Sequence, residues 1–444
     1  MKRNDTDKQR GWARFKARWI SKKGLWSLVI ALFVLIVSYW VGNWDAPFGV
    51  EGWPQRLAAT RFGWIPTVGK VDENDNFMFV NAEYDKTVVQ YFDTLSFGDN
   101  SSTENDAVYP FCVGTTSIVD RDKLIDFLTT LKKYDNYSFV FLDIDMDRHP
   151  YDVYDTALQC QNWRFAELAS SMRDVYVARG TTSVGLPCEM IDGRLDSMSG
   201  RVSYSIGLKE SGFIAEPIFP NGQPSIPMML ASRQKQMNFT HKGSLLYFCN
   251  GKLCRNKVSP RGFFQVESID RTSFQPDIHV DNQYIYLGRD IVDSATYVDA
   301  RDFEDKMIFV GAFDNEDFHV TPMGWYSGTT ILASVLVALE QGRHIVRWWW
   351  TLLLLICYCC YTNYLLLNTP IQVTPLLDDS SARQKVAHYS KKTLVLLFYV
   401  LVTTLLFFGL KMVSVYWLNT DYFFATPLFL LGIIGNVIKT WKKI

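Results

Sequence analysis

Apolar runs are spread very unevenly along this chain, and their placement restricts the fold more than any other feature. One lies near the start, Leu25–Val41. Three crowd after Arg343, at about Trp348–Leu367, Thr393–Val415 and Tyr422–Ile438. Each is near the length that about 30 Å of hydrocarbon demands. Basic clusters flank them: Lys2 to Lys23 before the first run, Arg383 to Lys392 between the second and third, and Lys439 to Lys443 after the last. All three clusters fall on one side of a four-crossing arrangement, as the positive-inside rule requires. The expectation is therefore four transmembrane helices at 25–42, 348–367, 393–415 and 422–438. A basic arm (1–24), a loop (368–392) and a tail (439–444) would be cytoplasmic, with 43–343 on the far side of the lipid bilayer. Val37–Asp45 shows no small-residue cleavage pattern, so the first run reads as an uncleaved anchor.

The formal net charge of -1 hides this segregation of basic and acidic residues. It gives no case for nucleic acid; the basic arm reads as a topogenic, anionic-lipid contact. Cys357, Cys359 and Cys360 lie in an apolar run and behave there as small apolar residues. The outer segment holds Cys112, Cys160, Cys188, Cys249 and Cys254. An odd number leaves at least one unpaired or bonded to another chain. Cys249 and Cys254 bracket Asn250-Gly251, a strong hairpin signal. That hairpin sets Cys249 opposite Lys252 and leaves Cys254 a diagonal neighbour at about 7–8 Å, too far for a disulfide unless the turn widens. Cys160–Cys188 is the other candidate pair.

The outer segment alternates strands with helices. Phe77–Glu83 is strand-like. Asp120 has the character of an N-cap, followed by Leu124, Phe127, Leu128 and Leu131 at i, i+3, i+4 and i+7. Ser138–Leu142 is a short buried strand, Trp163–Met172 a helix, Val175–Ala178 a strand and Lys306–Val310 another. Ser327–Gln341 is a helix with Leu332, Val335, Leu336 and Leu339 on one face and Gly342 as its stop. This pattern predicts an α/β fold with a mainly parallel sheet covered by helices on both faces. Residues 181–300 read as a β-rich insertion, with strand-like pieces at Phe263–Val266 and Tyr284–Leu287.

A parallel sheet places Asp85, Asp143, Asp145 and Asp314 at the carboxyl ends of strands, where open α/β sheets bind ligands. A shared acidic crevice would suit a cation, an amine or a metal-bridged anion. The same residues also fit ordinary turn and cap positions. Asp143-Ile144-Asp145 has the DxD spacing of metal-dependent sugar transferases. Continued strand alternation would put both carboxylates on one face. Asp314, Asp317 and His319 form a second acid/imidazole group, which could hold a metal or could be structural hydrogen-bonders. No motif names a cofactor, and no spacing argues for a nucleophilic triad.

Residues 303–324 read FEDKMIFVGAFDNEDFHVTPMG. A strand ending at Gly311, an acid-rich loop, then His319 with Thr321, Pro322 and Gly324 before a helix resembles the end of the CHASE domain, second type. That domain is an extracellular sensory module of bacterial receptors. Asp120-Arg121 opening a helix, and the strand running into Asp143-Ile144-Asp145, also resemble that family. The resemblance implies a sensory domain of a bacterial inner-membrane protein, here without the cytoplasmic output domain that usually follows. It implies ligand or partner binding outside, relayed through membrane helices to a separate effector protein, with a homo-oligomer also compatible. The rival expectations are a scaffold subunit without a ligand, and a metal-dependent transferase acting at Asp143 and Asp145.

Overall fold

The computed structural model describes residues 22–41, 77–93, 111–182, 186–268 with short gaps, 283–292, 300–314, 317–321, 324–367 and scattered positions between 390 and 414. The strands, in chain order, are β1 (Phe77–Asn81), β2 (Lys86–Asp93), β3 (Phe111–Val119), β4 (Phe139–Leu142), β5 (Val175–Arg179), β6 (Ser199–Arg201), β7 (Ser205–Ile206), β8 (Ile214–Pro217), β9 (Phe239–Lys242), β10 (Leu246–Cys249), β11 (Lys252–Cys254), β12 (Lys257–Val258), β13 (Glu267–Ser268), β14 (Gln283–Tyr286), β15 (Met307–Gly311), β16 (Phe318–Thr321) and β17 (Gly324–Ser327). The helices are α1 (Lys22–Val41), α2 (Arg121–Tyr134), α3 (Pro150–Tyr154), α4 (Thr156–Ser171), α5 (Ile226–Gln234), α6 (Gly328–Glu340) and α7 (Trp348–Leu367).

The centre is a seven-stranded sheet in the order β13-β14-β1-β15-β4-β5-β6. Every pairing in it is parallel. Its middle strands are buried on both faces, as their unbroken apolar sequences require. Strand alternation sorts the side chains by type. Phe79, Phe139, Phe141 and Phe309 point to the face covered by α5 and α6. Val80, Val140, Leu142, Ile308 and Val310 point to the face covered by α2 and α4. Phe309 is the hub of the aromatic face, with the rings of Phe79, Phe139 and Phe141 at 6.0, 5.5 and 5.7 Å.

The helices begin and end where their caps dictate. Asp120 accepts hydrogen bonds from the N–H groups of Asp122 and Lys123, and Asp135 closes α2 in a left-handed conformation. Leu124, Phe127, Leu128 and Leu131 are all buried. Ser327 caps α6. That helix is enclosed along nearly its whole length, so its apolar residues are not confined to one stripe. The helix expected at Trp163 starts earlier, at Thr156, behind a cap made by Asp155.

The segment 181–300 is not a separate β-rich unit. β14, which overlaps the expected piece Tyr284–Leu287, lies beside β1 in the main sheet, and β6 forms its far edge. The piece Phe263–Val266 is not a strand among its described residues; Phe264 packs against Phe77 and Phe79. Two small antiparallel sheets remain, β9–β10–β11 and β7–β8–β12. The hairpin at Asn250-Gly251 has both residues at positive φ. Cys249 stands opposite Lys252 and Cys254 opposite Tyr247, the diagonal arrangement expected. Cys160, Cys188, Cys249 and Cys254 are free thiols, so neither candidate disulfide is formed. The side chain of Cys112 lies outside the described residues. A long antiparallel ribbon, β2–β3, precedes α2; the sequence pattern did not predict it.

Among the described residues, no helix is long and apolar enough to cross a membrane. This corrects the expected four transmembrane helices, and with them the inner-membrane placement with cytoplasmic termini and a periplasmic domain. The first two apolar runs form α1 and α7, which lie against each other through Ala31, Val34, Trp350, Leu354 and Tyr358. Away from that contact, Leu25, Trp26 and Phe33 of α1 and Leu352 and Leu353 of α7 are exposed. Apolar length alone does not separate a spanning helix from one paired with another helix, and the expectation of four crossings rested on length. The third run is described at only a few positions. The fourth run, the arm before Lys22, the tail, and the loop 368–392 apart from Ser390 lie outside the described residues.

Candidate functional site

The carboxyl ends of β14, β1, β15 and β4 lie side by side, and the acids expected there are present. The sheet divides them. Gly311 ends β15 beside Asn81 of β1, and Asp143 follows β4 with its N–H on the Val310 carbonyl. Thr329, in the first turn of α6, donates its hydroxyl to Asp143 Oδ2 at 2.7 Å. This approach needs glycine at 311: a Cβ there would lie 2.1 Å from Thr329 Oγ1 and 3.3 Å from Asp143 Cβ. Among the described residues, Thr329 is the only hydrogen-bond partner of the Asp143 carboxylate. Burial, and then the charge of Asp317, push that carboxyl up to about 7, while Thr329 and His319 pull against the rise.

Asp314 lies on the same face. Its carboxylate accepts from the Tyr284 hydroxyl and, at 3.1 Å, from Asn81 Nδ2. Its N–H donates to Glu83 Oε2 at 2.7 Å. His319 Nε2 pairs with Asp317 at 2.9 Å, and this bond raises the imidazole pKa. The His-Val-Thr-Pro-x-Gly segment is the hairpin β16–β17, with His319 opposite Tyr326. Thr321 is buried and donates to the Gly324 carbonyl. Gly324 has φ +135, a conformation that favours glycine. Pro322 lies outside the described residues. The hairpin feeds directly into the Ser327 cap of α6.

The other face holds the remaining acids, and these are tied down. Asp85 accepts from Lys123 Nζ at 2.7 Å and from the Gly288 N–H at 2.8 Å. Asp145 pairs with His149 Nε2 at 2.9 Å and accepts from the Asp147 N–H. Burial acts to raise the Asp145 pKa, but those hydrogen bonds hold it below the ordinary value. Arg121 is buried under Asp145, giving Nη2 to its carbonyl and Nε to Asn162. Asp120 is the cap of α2.

The DxD pair therefore does not act together. Ile144 still faces the α2–α4 core, but the strand has ended at Leu142. Asp145 then turns toward His149 rather than back to the Asp143 side. No group of three metal-ligating side chains is gathered among the described residues. Sequence reasoning missed Asn81, Glu83, Tyr284 and Thr329. A polar or tyrosine residue closing an otherwise apolar strand, as in FMFVN and QYIY, was the available signal. A groove of about 630 Å³ lined by Met228, Arg233, Met237 and Phe239 lies elsewhere, on the side where Arg233 pairs with Asp174 before β5.

The fold and site define an α/β protein with a parallel sheet whose carboxyl edge carries Asp143, Asp314 and Asp317 on the α6 side. No protein-family model, curated protein or solved structure matches the chain.

Proposed function

We propose that this protein is a sensor-type binding module whose ligand docks at the α6 side of the crevice and is felt through α6. The carrying observation is the Asp143–Thr329 bond. It joins the most perturbed carboxyl of the crevice to the first turn of a buried helix. At its other end α6 turns at Gly342, at φ +69, and the next residues add to the β9–β11 sheet. Arg255 N–H donates to the His344 carbonyl, and Val346 N–H to the Leu253 carbonyl. α7 follows at Trp348, and Tyr39 of α1 donates to the Cys254 carbonyl at 2.8 Å. A ligand that binds one arrangement of Asp143 and Thr329 better than another would shift α6 against this junction, and only by its differential affinity. The resemblance to the second-type CHASE domain supports the same reading, with an effector as a separate partner.

The test is a thermal-shift screen of the full-length chain with amines, amino acids, sugars and divalent cations. One class should raise Tm saturably in the native chain but not in Asp143→Asn/Asp314→Asn. Thr329→Val should keep binding yet lose the ligand-induced change in hydrogen exchange at 342–350. If no class separates the native chain from the double variant, the crevice is not a ligand site.

A further inference from the structure

We propose that β9 and the groove beside it dock an extended acidic segment of a partner protein, which pairs as a new strand on the β9 edge. This surface is separate from Asp143 and does not depend on what the crevice binds. The first observation is an unpaired strand edge. β9 is the outer strand of the small sheet β11-β10-β9. Phe239 stands opposite Cys249, and the Asn250 N–H donates to the Asn238 carbonyl. In an antiparallel ladder that phase turns the backbone groups of Asn238 and Thr240 toward β10 and those of Phe239 and His241 outward. Among the described residues, nothing hydrogen-bonds these outward groups. Thr240, His241 and Lys242 are exposed, so the edge is open to a second chain.

The second observation is the groove of about 630 Å³ that meets this edge. Met228 and Arg233 line it from α5, and Met237, Asn238 and Phe239 from the approach to β9. Methionine side chains adapt to the shape of an apolar guest. A helix, a groove and a free strand edge together suit strand addition. The guest's main chain pairs with the edge, and an apolar side chain fills the groove.

Charge selects the guest. Residues 217–266 hold seven lysines and arginines and no aspartate or glutamate. Arg233, Lys235, Lys242 and Lys252 among them are exposed. One acid reaches this side from elsewhere in the fold: Asp174, which holds Arg233 Nε at 2.7 Å. A second copy of the chain would set basic residues against basic residues across the new pairing. A phosphate of a lipid or nucleic acid accepts from N–H groups but gives the edge carbonyls no donor. An acidic peptide answers the lysines and both kinds of backbone group.

Random-peptide display against the full-length chain, followed by fluorescence anisotropy of the enriched peptides, tests this. The enriched set should be rich in acids around at least one apolar residue. His241→Pro removes an outward N–H that the fold does not use, as edge strands tolerate, and should weaken binding about tenfold. His241→Ala loses the same imidazole contact with the Gly243 carbonyl but keeps the N–H, and should stay within about threefold of the native chain. Lys235→Glu/Lys242→Glu should weaken binding about tenfold, and Met228→Ala/Met237→Ala about fivefold. N-methylation at alternate peptide residues should abolish binding in one of its two phases, a readout that does not depend on how any variant folds. Enrichment without acidic peptides overturns the proposal, as does equal binding of both N-methylated phases. So does a native chain that enriches no peptide, including one that instead binds phosphatidylserine vesicles equally well with and without His241→Pro.

Discussion

The two faces of the sheet end in the same residue type and use it differently. On the α2–α4 side, Asp85, Asp145 and Asp147 are bonded to lysine, histidine and backbone N–H groups. Those carboxylates hold loops in place. On the α6 side, Asp143 has a threonine hydroxyl and a like-charged neighbour, and burial pushes its carboxyl up to about 7, whereas hydrogen bonds hold Asp145 below the ordinary value; burial raises Asp147 as well, against its bond from the Gly180 N–H. Hydrogen bonds to the charged form lower a carboxyl pKa, whereas burial beside another acid raises it. The partner set of an acid, and not its place after a strand, separates a structural carboxylate from a candidate for ligand contact.

Substituting the glycines that floor each side breaks the comparison most directly. Gly311→Ala should cost about 2–3 kcal/mol, because the new Cβ meets Thr329 Oγ1 at 2.1 Å and Thr329 Cβ at 3.1 Å. Those atoms sit close to the α6 backbone and cannot swing away. Gly288→Ala meets Asp85 Oδ1 at 2.1 Å and Lys123 Nζ at 2.7 Å; these side-chain ends can shift only by straining the Asp85 bonds to Lys123 and the Gly288 N–H, so about 1–2 kcal/mol is expected. Urea denaturation followed by circular dichroism gives both values, and equal costs would show that the two floors are equivalent.

Removing an acid should have opposite consequences on the two faces. Asp85→Ala strands the buried Gly288 N–H and the Lys123 ammonium, at a cost of about 1–3 kcal/mol. Asp143→Asn should be neutral or stabilising at pH 8. The folded pKa of about 7 lies above the ordinary value of 3.8, so the folded state binds the proton more tightly. Stability from this group is present below pH 3.8 and is lost as pH rises through about 7. The gain from Asp143→Asn should therefore appear at about pH 8 and vanish at about pH 4. A Tm difference that does not depend on pH would put Asp143 with the structural carboxylates.

Much of the fold was legible in the residues. The i, i+3, i+4, i+7 pattern after Asp120, the apolar strands KMIFV and SFVFL, and the Asn250-Gly251 turn each rest on local physics that tertiary context reinforced. The site was legible only in outline. That acids gather at the carboxyl edge follows from topology, but which face each takes does not. Asp143 and Asp145 share a face only while a strand continues, and this one stops at Leu142. Thr329 and Tyr284 are distant in sequence from Asp143 and Asp314, and no local pattern links them. β14 reads as part of an insertion because four residues, QYIY, do not reveal which sheet they join.

The smallest effect lies at the far end of α6. His344 is buried against Phe239, with neither ring nitrogen hydrogen-bonded among the described residues. Burial pushes its pKa down to about 4. With the folded value depressed below the ordinary 6.5, protonation favours unfolding. Stability from this group is full above pH 6.5 and falls as pH drops toward about 4. His344→Phe keeps the ring contact and removes the titration. The variant should match the native chain at about pH 7.5 and exceed it at about pH 5, by a few degrees in Tm at most. Asp143 and His344 then titrate in opposite senses at the two ends of one helix. Their windows overlap and their slopes oppose, so in the native chain the two contributions largely cancel between about pH 4 and 6.5; Asp143→Asn should leave a stability that falls toward acid, and His344→Phe one that falls toward neutral pH. If both variants tilt the pH dependence the same way, the two ends of α6 are not independent, and the helix transmits protonation from one end to the other.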